Sequence, residues 1–571
     1  MDAFLTQINA ILWNDIVLYI MVCTGLTFTF WSGFSQYRAL THGVGVIRGR
    51  YDDPDDPGAI NHFQALSTAL SATVGLGNIG GVAIAISLGG PGAVFWMWVI
   101  GFLGMATKLT EVTLSMLYRN TEDPGNPHGG PMYVISRGLP WKFPRIGFVG
   151  KALGGLFCIT CLIMAATGGN MFQAWNVGTI TEEYFGVPSI ASGIMLAVIV
   201  GMVIIGGIKR IGAVTGRLVP IMVVLYLLAA VYVLIVNIAE IPDMFVLIFK
   251  GAFSTLDASG AFIGGTMGYA FLFGMKRAIF SNEAGQGTSP IAHSAAKTRE
   301  PVREGVVAGL EPFVDTIVVC TLTALVILST GVWQRGAEAV LLEEPQVQQT
   351  NEGDWTLAMS RVSERDGAEW VTGESVFLIV HSDPNDRSDN NMHRLEGNII
   401  VAENGDYLVD WNTLTTESEP AIYDRGIYLS YVGATLTAKA FDSMVPGLGK
   451  WLLTLTVWLF AISTMIAYSY YGEQAMVYLA GDRSVMAYKV IYCILAVIAT
   501  AGFLQTDAQL DNLTGFGTGV MLFVNVPIMW LFGAQAMRAY KDYIKRFDEG
   551  RMGPGHEPPS LEDVISGRDV E

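Results

Sequence analysis

Long apolar runs recur along almost the whole of this chain, and they restrict its possible folds more than any other feature. A helix that crosses the hydrocarbon core of a bilayer needs about twenty consecutive, mostly apolar residues. The sequence therefore predicts an all-α integral membrane protein with about eleven transmembrane helices. The predicted spans are 12–34, 63–88, 92–118, 149–177, 187–207, 214–237, 258–280, 305–331, 450–478, 485–505 and 512–537.

Most of the negative charge lies in one hydrophilic segment, residues 331–427. It contains nineteen Asp and Glu residues against six Arg and no Lys, which accounts for −13 of the formal net charge of −17. Alternating stretches at 376–381 and 398–401 are typical of strands. We therefore predict a small β-rich insertion. A charged, solvated role is the simpler interpretation, and a binding role is the alternative.

Basic residues in alternate loops predict the orientation of the chain. One set of loops carries the Lys and Arg clusters that begin at Arg38, Arg119, Lys209, Lys297 and Arg538. Short loops rich in Lys and Arg stay in the cytoplasm. The N-terminus and the acidic insertion are therefore expected outside the cell and the C-terminus inside. No cleavage site follows the first apolar run, so we expect it to remain as an anchor.

One apolar span contains a glycine-rich interruption at 71–81, Ser-Ala-Thr-Val-Gly-Leu-Gly-Asn-Ile-Gly-Gly. Each glycine weakens a helix by about 1 kcal/mol relative to alanine, so the segment predicts a broken helix. The unpaired backbone groups of such a break are tolerated in a membrane only around a cavity or a bound ion. Close helix packing through small residues is the alternative interpretation.

A second glycine-rich segment, 260–274, lies five spans after the first. Interrupted spans at corresponding positions of two halves are typical of transporters with an inverted repeat and a central binding site. We therefore predict two five-helix halves, each with one broken helix. The first span is then an extra N-terminal helix.

Polar residues inside other spans are candidates for the lining of such a site. Ser463, Thr464 and the Phe460 carbonyl share one side of a helix and suit a hard cation, although hydroxyls in membrane helices also bond their own backbone. Asn170 and Gln173 follow one helix face. They suit a polar pocket lining, and hydrogen bonding between helices is the alternative.

Two long strings resemble those of a known family. Gly89–Trp98, followed by Gly101 and Gly104, and Phe280–Gly287, followed by Pro290–His293, are similar to segments of the alanine or glycine:cation symporters, also called sodium:alanine symporters. The resemblance covers about 12–330 and 428–545 and omits the acidic insertion. It implies the five-plus-five fold of the neurotransmitter sodium symporters, whose first core helix contains a string like Val74–Asn78.

The resemblance also implies the residues of the site. Na⁺ would be held by the carbonyls of Ser71 and Val74 together with Phe460, Ser463 and Thr464. The residues implied or proposed to hold the substrate are Thr73, Gly75, Gly77, Asn78, Asn170, Gln173, Phe273 and Gly274. Of these, Phe273 and Gly274 would border the small side chain of the substrate.

The function that the resemblance implies is secondary active symport, in which small neutral amino acids such as alanine or glycine enter with Na⁺ by alternating access. The expected binding partners are therefore the amino acid, Na⁺ and membrane lipid. The expected location is the plasma membrane, such as a bacterial inner membrane.

The chain contains no G-x-x-x-x-G-K-[ST] loop and no catalytic grouping, so we expect no enzyme activity, organic cofactor or nucleic-acid partner. A transporter-like sensor or a channel is the alternative. The amino acid, its enantiomer, H⁺ as coupling ion and the oligomeric state stay open.

The predicted organisation has five parts. They are the extra N-terminal helix (1–34), core helices one to seven (63–330), the acidic extracellular insertion (331–427), an outer-mouth helix with core helices eight to ten (428–545), and a cytoplasmic tail (546–571).

Overall fold

The computed structural model describes most of the chain. The described residues are 2–257, 259–264, 266–350, 353–365, 369–384, 391–402, 405–431, 433–502, 507–552 and 559–566. Gly265 of the second glycine-rich segment and residues 553–558 and 567–571 of the predicted tail lie outside them.

Helices form most of the chain on both sides of the acidic insertion. Before residue 207 they are α1 (Asp2–Leu12), α2 (Asp15–Trp31), α3 (Ser35–Arg38), α4 (Val44–Ile47), α5 (His62–Thr73), α6 (Val82–Gly89), α7 (Ala93–Tyr118), α8 (Pro131–Lys142), α9 (Gly147–Ala166), α10 (Phe172–Phe185) and α11 (Ser189–Ile204). After it they are α12 (Gly207–Val236), α13 (Ile241–Phe253), α14 (Met267–Asn282), α15 (Ser289–His293), α16 (Pro301–Ala308), α17 (Thr321–Ser329), α18 (Ala434–Asp442), α19 (Leu448–Ala480), α20 (Val485–Ala499), α21 (Asp507–Asp548) and α22 (Leu561–Ser566).

Short stretches of other helix types connect several of these helices. Wider π-helical turns are rare in proteins and often occur at functional sites. In the described residues they are Ala39–Gly43, Gly77–Gly81, Thr167–Met171 and Phe313–Cys320, and the tighter 3₁₀ turns are Pro144–Ile146, Val332–Gln334 and Asp482–Ser484.

Seven helices in the described part of the chain are long and apolar enough to cross a membrane. The number is eight if α5 and the stretch 77–89, which are bent relative to each other, form one span. Three further predicted spans correspond to α11, α14 and α20, which have 16, 16 and 15 residues. At 1.5 Å per residue such helices are about 24 Å long, less than the hydrocarbon core of about 30 Å. The total of eleven therefore stays a prediction. The membrane candidates are Gln7–Trp31, Ala93–Tyr118, Gly147–Phe185, Gly207–Val236, Pro301–Ser329, Leu448–Ala480 and Asn512–Asp548.

Strands occur in the segment for which the sequence predicts β structure. They are β1 (Ala339–Val340), β2 (Val347–Gln349), β3 (Trp355–Leu357), β4 (Ser360–Val362), β5 (Ser375–His381), β6 (Met392–Val401), β7 (Tyr407–Trp411), β8 (Ala421–Ile422) and β9 (Gly426–Leu429). An antiparallel sheet has the order β1-β9-β5-β6-β7-β4, β8 also pairs with β5, and β2 pairs with β3.

The central strand β5 is buried on both faces, and this positions the sheet on the helices. Val376, Leu378 and Val380 point into the core of the insertion. Phe377 and Ile379 alternate with them and form a separate apolar cluster, which also contains Ala261 and Ile263 between α13 and α14. One face of the sheet therefore packs on the helical part of the chain.

Candidate functional site

The first glycine-rich segment forms a break between α5 and the helical stretch that begins at Gly77. α5 ends at Thr73, and Val74 has an extended backbone with φ −77° and ψ 99°. The two helical parts are bent by 53°. The Gly75 amide donates to Asn78 Oδ1 at 2.7 Å, so a side chain replaces the lost helical acceptor. The main-chain groups of a break of this kind are tolerated inside a membrane only around a cavity or a bound ion.

Hydroxyl and carbonyl oxygens meet where this break lies against α19. Thr464 Oγ1 donates to the Ser71 carbonyl at 3.1 Å, and Ser463 Oγ donates to the Phe460 carbonyl at 2.9 Å. These four residues and Val74 are buried. Ser71 Oγ has no hydrogen-bond partner among the described residues. The structure thus brings together, around one helix contact, neutral oxygens of the type that binds hard cations.

A cavity of about 210 Å³ adjoins the break. It is smaller than the roughly 300 Å³ at which pockets for drug-sized ligands begin, so it suits a ligand of few atoms. Helices from several parts of the chain contribute to its walls. The predicted site residues that line it are Thr73, Gly75, Gly77, Gln173 and Thr464.

Gln173 and Asn170 differ in their surroundings. Gln173 Nε2 donates to the Gly168 carbonyl at 3.1 Å, and its Oε1 is buried without a partner in the described structure. This oxygen is available to a donor in the cavity. Asn170 Nδ2 instead donates to the Tyr492 carbonyl at 2.6 Å and so connects the π-helical turn at 167–171 to α20.

Asn78 holds together the helices behind the cavity. Its Nδ2 donates to Asp315 Oδ1 at 2.6 Å and to Ser281 Oγ at 3.1 Å. Ser281 Oγ donates in turn to Asp315 Oδ2 at 2.9 Å. All three residues are buried. The Asn78 side chain therefore links the broken helix to α14 and to the π-helical stretch 313–320.

Phe273 and Gly274 lie inside α14, where Phe273 is next to Gly89 at the end of α6 and Gly274 faces α7. A Cβ atom on Gly274 would be 2.9 Å from Trp96 Cβ, so this glycine permits close packing of the two helices. The interruption before α14 ends at Met267, earlier than the glycine pattern predicts. Arg277 and Phe280, one to two turns further along α14, line the cavity in their place.

The string at 280–287 contributes more to the cavity than the sequence analysis predicts. Ser281, Glu283 and Gln286 all line it. Glu283 accepts hydrogen bonds from Thr288 Oγ1 at 2.5 Å and from the hydroxyl of Tyr468, another lining residue. The signals in the sequence were this family-like string and Arg277, part of the only charged pair in the span 258–280.

A buried ionic network connects α5, α7, α15 and the chain around α16. Lys108 Nζ is 3.2 Å from Glu311 Oε2. His293 bridges two carboxylates, with Nε2 2.6 Å from Glu311 Oε1 and Nδ1 2.5 Å from Glu304 Oε1. His62 Nδ1 contacts the other oxygen of Glu304. The side chains of all five are buried, so each charge depends on its partners.

Comparison with known proteins shows which family the chain is similar to. The profile of the sodium:alanine symporter family matches residues 1–360 and 421–556. The sodium/alanine symporter AgcS of Methanococcus maripaludis is 34% identical over 86% of this chain and 87% of its own length. The putative sodium/proton-dependent alanine carrier protein YrbD of Bacillus subtilis is 31% identical over 98% and 96%. The probable sodium/glutamine symporter GlnT of Bacillus subtilis is 34% identical over 61% and 70%.

These matches confirm the resemblance seen in the sequence. The family consists of transporters and not of enzymes, and with the apolar helices it indicates a multi-pass membrane protein. Two stretches are unmatched: 361–420, which lies within the acidic insertion, and 557–571 at the C-terminal end. Because the profile and the first two relatives each cover most of its length, the chain belongs to the sodium:alanine symporter family.

Proposed function

We propose that the protein is a secondary symporter that imports small neutral amino acids, alanine or glycine, with Na⁺. Family membership supports Na⁺-coupled amino-acid symport in general. The observation that carries the specific proposal is the contact of Thr464 Oγ1 with the Ser71 carbonyl, next to a small cavity. A cation held there by α5 and α19 stabilises the arrangement in which the substrate cavity is formed.

The Na⁺ site in this proposal consists of the five residues that the sequence analysis names. All five residues supply neutral oxygens: the carbonyls of Ser71, Val74 and Phe460 and the hydroxyls of Ser463 and Thr464. No carboxylate in this set cancels the charge of the ion. The unpartnered Ser71 Oγ is a further oxygen at the same place.

The amino acid in this proposal occupies the adjoining cavity. Its carboxylate faces the main chain of the break at Gly77, where Thr73 offers a hydroxyl, and Gly75, whose amide is held by Asn78, borders it. Its ammonium group can donate to Gln173 Oε1, the buried oxygen without a partner among the described residues. The volume of about 210 Å³ favours a short side chain. Two of the relatives are named for alanine and one for glutamine.

The proposed fold has eleven spans, with a five-plus-five inverted repeat after an extra N-terminal helix, as in the neurotransmitter sodium symporters. Both glycine-rich segments adjoin interruptions, at 74–76 and between α13 and α14, which supports the repeat. The basic loops favour an outside N-terminus, a cytoplasmic C-terminus and an outside insertion, in a plasma membrane such as a bacterial inner membrane. The proposed parts keep the boundaries 1–34, 63–330, 331–427, 428–545 and 546–571.

Transport in this proposal follows alternating access. Na⁺ and the amino acid bind near the break, one end of the cavity closes, and the other opens as one helix group moves against the other. An interior-negative potential of 100 mV contributes about 2.3 kcal/mol for each net positive charge carried inward.

Uptake into proteoliposomes tests the proposal. The purified protein is given labelled alanine or glycine with an inward Na⁺ gradient, an inward H⁺ gradient or no gradient. We expect accumulation with the Na⁺ gradient. We also expect Thr464→Val to abolish it, because valine keeps the shape of the side chain but lacks the oxygen.

Thr456→Val is the matched control. Thr456 lies on the same helix, is buried, and donates to the Leu452 carbonyl of its own helix at 2.7 Å. If both variants lose uptake equally, the proposed Na⁺ site is wrong. If alanine binds but no gradient drives accumulation, a transporter-like sensor or channel becomes the better account.

A further inference from the structure

One arginine of the insertion reaches the helical part of the chain. Arg394, on β6, lies opposite Ile379 of β5 and so faces the same way, towards the helices. Its Nη2 donates to the Ser87 carbonyl of α6 at 3.1 Å and to the Ala261 carbonyl, between α13 and α14, at 3.1 Å. A single side chain thus bridges the C-terminal end of α6, the helix that follows the first interruption, and the segment between α13 and α14.

The Ser87 carbonyl needs such a donor. Within a helix it would accept from the amide four residues later, but that residue is Pro91, which has no N–H. The last carbonyls of a helix lack intrahelical partners and carry partial negative charge, which a cation stabilises. Arg394 therefore supplies a charged cap that the sequence of α6 cannot provide.

The Ala261 carbonyl belongs to a segment that is already fixed to the insertion. The Ala261 amide donates to the Arg335 carbonyl at 2.8 Å. The side chains of Ala261 and Ile263 pack with Phe377 and Ile379 of the sheet. Arg394 adds the polar contact that ties this joint to α6.

The surroundings of Arg394 keep it in place and charged. Its guanidinium lies over the Phe377 ring, 4.6 Å from the centroid. Burial lowers the pKa of Arg394 to about 10, so the group remains protonated at neutral pH. Hydrogen bonds from a charged donor in such a setting are among the strong ones.

We propose that Arg394 is a positioning residue for transport, through which the insertion holds α6 and the 259–264 segment together on the side of the cavity that carries the sheet. Arg394 lies in 361–420, outside the match to the family profile, so the proposed role rests on the contacts in this chain and not on the family. The inference rests on the proposed function for its effect on transport. Its structural part, the bridge, stands apart from it.

Hydrogen exchange of the full-length protein in lipid nanodiscs tests the bridge. Arg394→Met keeps a long apolar side chain and removes the donors. We expect exchange to rise about tenfold in peptides covering 82–90 and 259–264, because a charged hydrogen bond corresponds to at least about a tenfold change in an equilibrium constant. Peptides covering β5 should keep their exchange rates. Arg394→Lys, which retains the charge without the fork, should lie between wild type and Arg394→Met.

Arg425→Gln is the control, since Arg425 is exposed and its ion pair, with Glu344 at 3.5 Å, stays within the insertion. This variant should exchange like wild type at both segments. If Arg394→Met leaves both segments unchanged, or raises β5 exchange as much, the bridge is refuted. These exchange rates do not depend on which solute the protein carries. The test of the bridge is therefore valid even if the protein is not a symporter.

Uptake kinetics test the effect on transport. Releasing the bridge favours the conformation open on the side of the sheet, so we expect Arg394→Met to lower both KM and Vmax at least about threefold. A purely structural defect would lower Vmax alone through loss of active protein. An unchanged KM therefore overturns the positioning role.

Discussion

The contact between Gly80 and α18 yields a sharp prediction about how the cavity is covered. Gly433 and Ala434, at the start of α18, line the cavity, and Thr437 Oγ1 donates to the Ile79 carbonyl at 3.1 Å. A Cβ atom on Gly80 would lie 3.0 Å from the Ala434 nitrogen and 3.4 Å from the Gly433 backbone. Gly80→Ala therefore forces α18 away from the broken helix.

The energetic cost of Gly80→Ala follows from the tight contact of the added methyl group with backbone atoms, which cannot rotate away. Extra methyl groups in packed interiors typically cost about 1–3 kcal/mol. Only the covered arrangement bears this cost, so its population relative to the uncovered one should fall about 5- to 150-fold.

Gly81→Ala provides a matched control on the next residue. A Cβ there would lie 3.7 Å from Arg277 Cδ, an ordinary contact. Both variants gain the same helix propensity, up to about 1 kcal/mol, so their difference isolates the contact with α18.

Hydrogen exchange of the amides in 434–442 is the assay. We expect Gly80→Ala to increase the exchange of these amides about 5- to 150-fold. Gly81→Ala should leave their exchange near that of wild type. Equal exchange in the two variants would refute the reasoning, because the clash with α18 would then have no consequence.

Three further predictions concern other parts of the molecule. Lys108→Met should lower the free energy of unfolding by about 3–5 kcal/mol and so lower the melting temperature, because Glu311 loses its buried cation. Lys151→Met, at an exposed position, should not lower it, and equal melting temperatures of the two variants would contradict the prediction. Gln173→Ala should raise the KM for alanine about tenfold without changing the melting temperature, since a charged ammonium loses its acceptor; an unchanged KM would remove Gln173 from the site. Burial lowers the pKa of His42 from 6.5 to about 4, so the stability that neutral His42 contributes is complete above about pH 6.5 and is lost as the pH falls towards 4; His42→Gln should lose less stability over that window, and identical acid profiles would argue against it.

Local chemistry made several features predictable from the sequence. The glycine string at 71–81 predicts a break because each glycine weakens the helix, and the break occurs at 74–76. Alternation at 376–381 predicts a strand, and β5 occupies 375–381. The types and spacing of Ser463 and Thr464 favour a cation site, which stays a prediction. The structure places Thr464 against Ser71.

Tertiary packing decided what the sequence did not reveal. Glycines in 260–274 serve two purposes: some lie in the interruption, whereas Gly274 lets α14 approach α7, and composition does not separate these uses. Lys108 and Glu111 are the only charges in the span of α7 and could have signalled a buried network. Their partners, Glu311 beside Lys108 and the Asn525 amide that donates to Glu111, are far away in the sequence, so the pairing could not be inferred.

Reciprocal coupling is the most direct test of the central claim, that amino acid and Na⁺ cross the membrane together. Proteoliposomes with equal Na⁺ on both sides receive an inward gradient of unlabelled alanine, and the entry of radioactive sodium is followed. The account predicts net sodium entry that depends on alanine and is absent in Thr464→Val. Sodium entry at the same rate with and without alanine would contradict it.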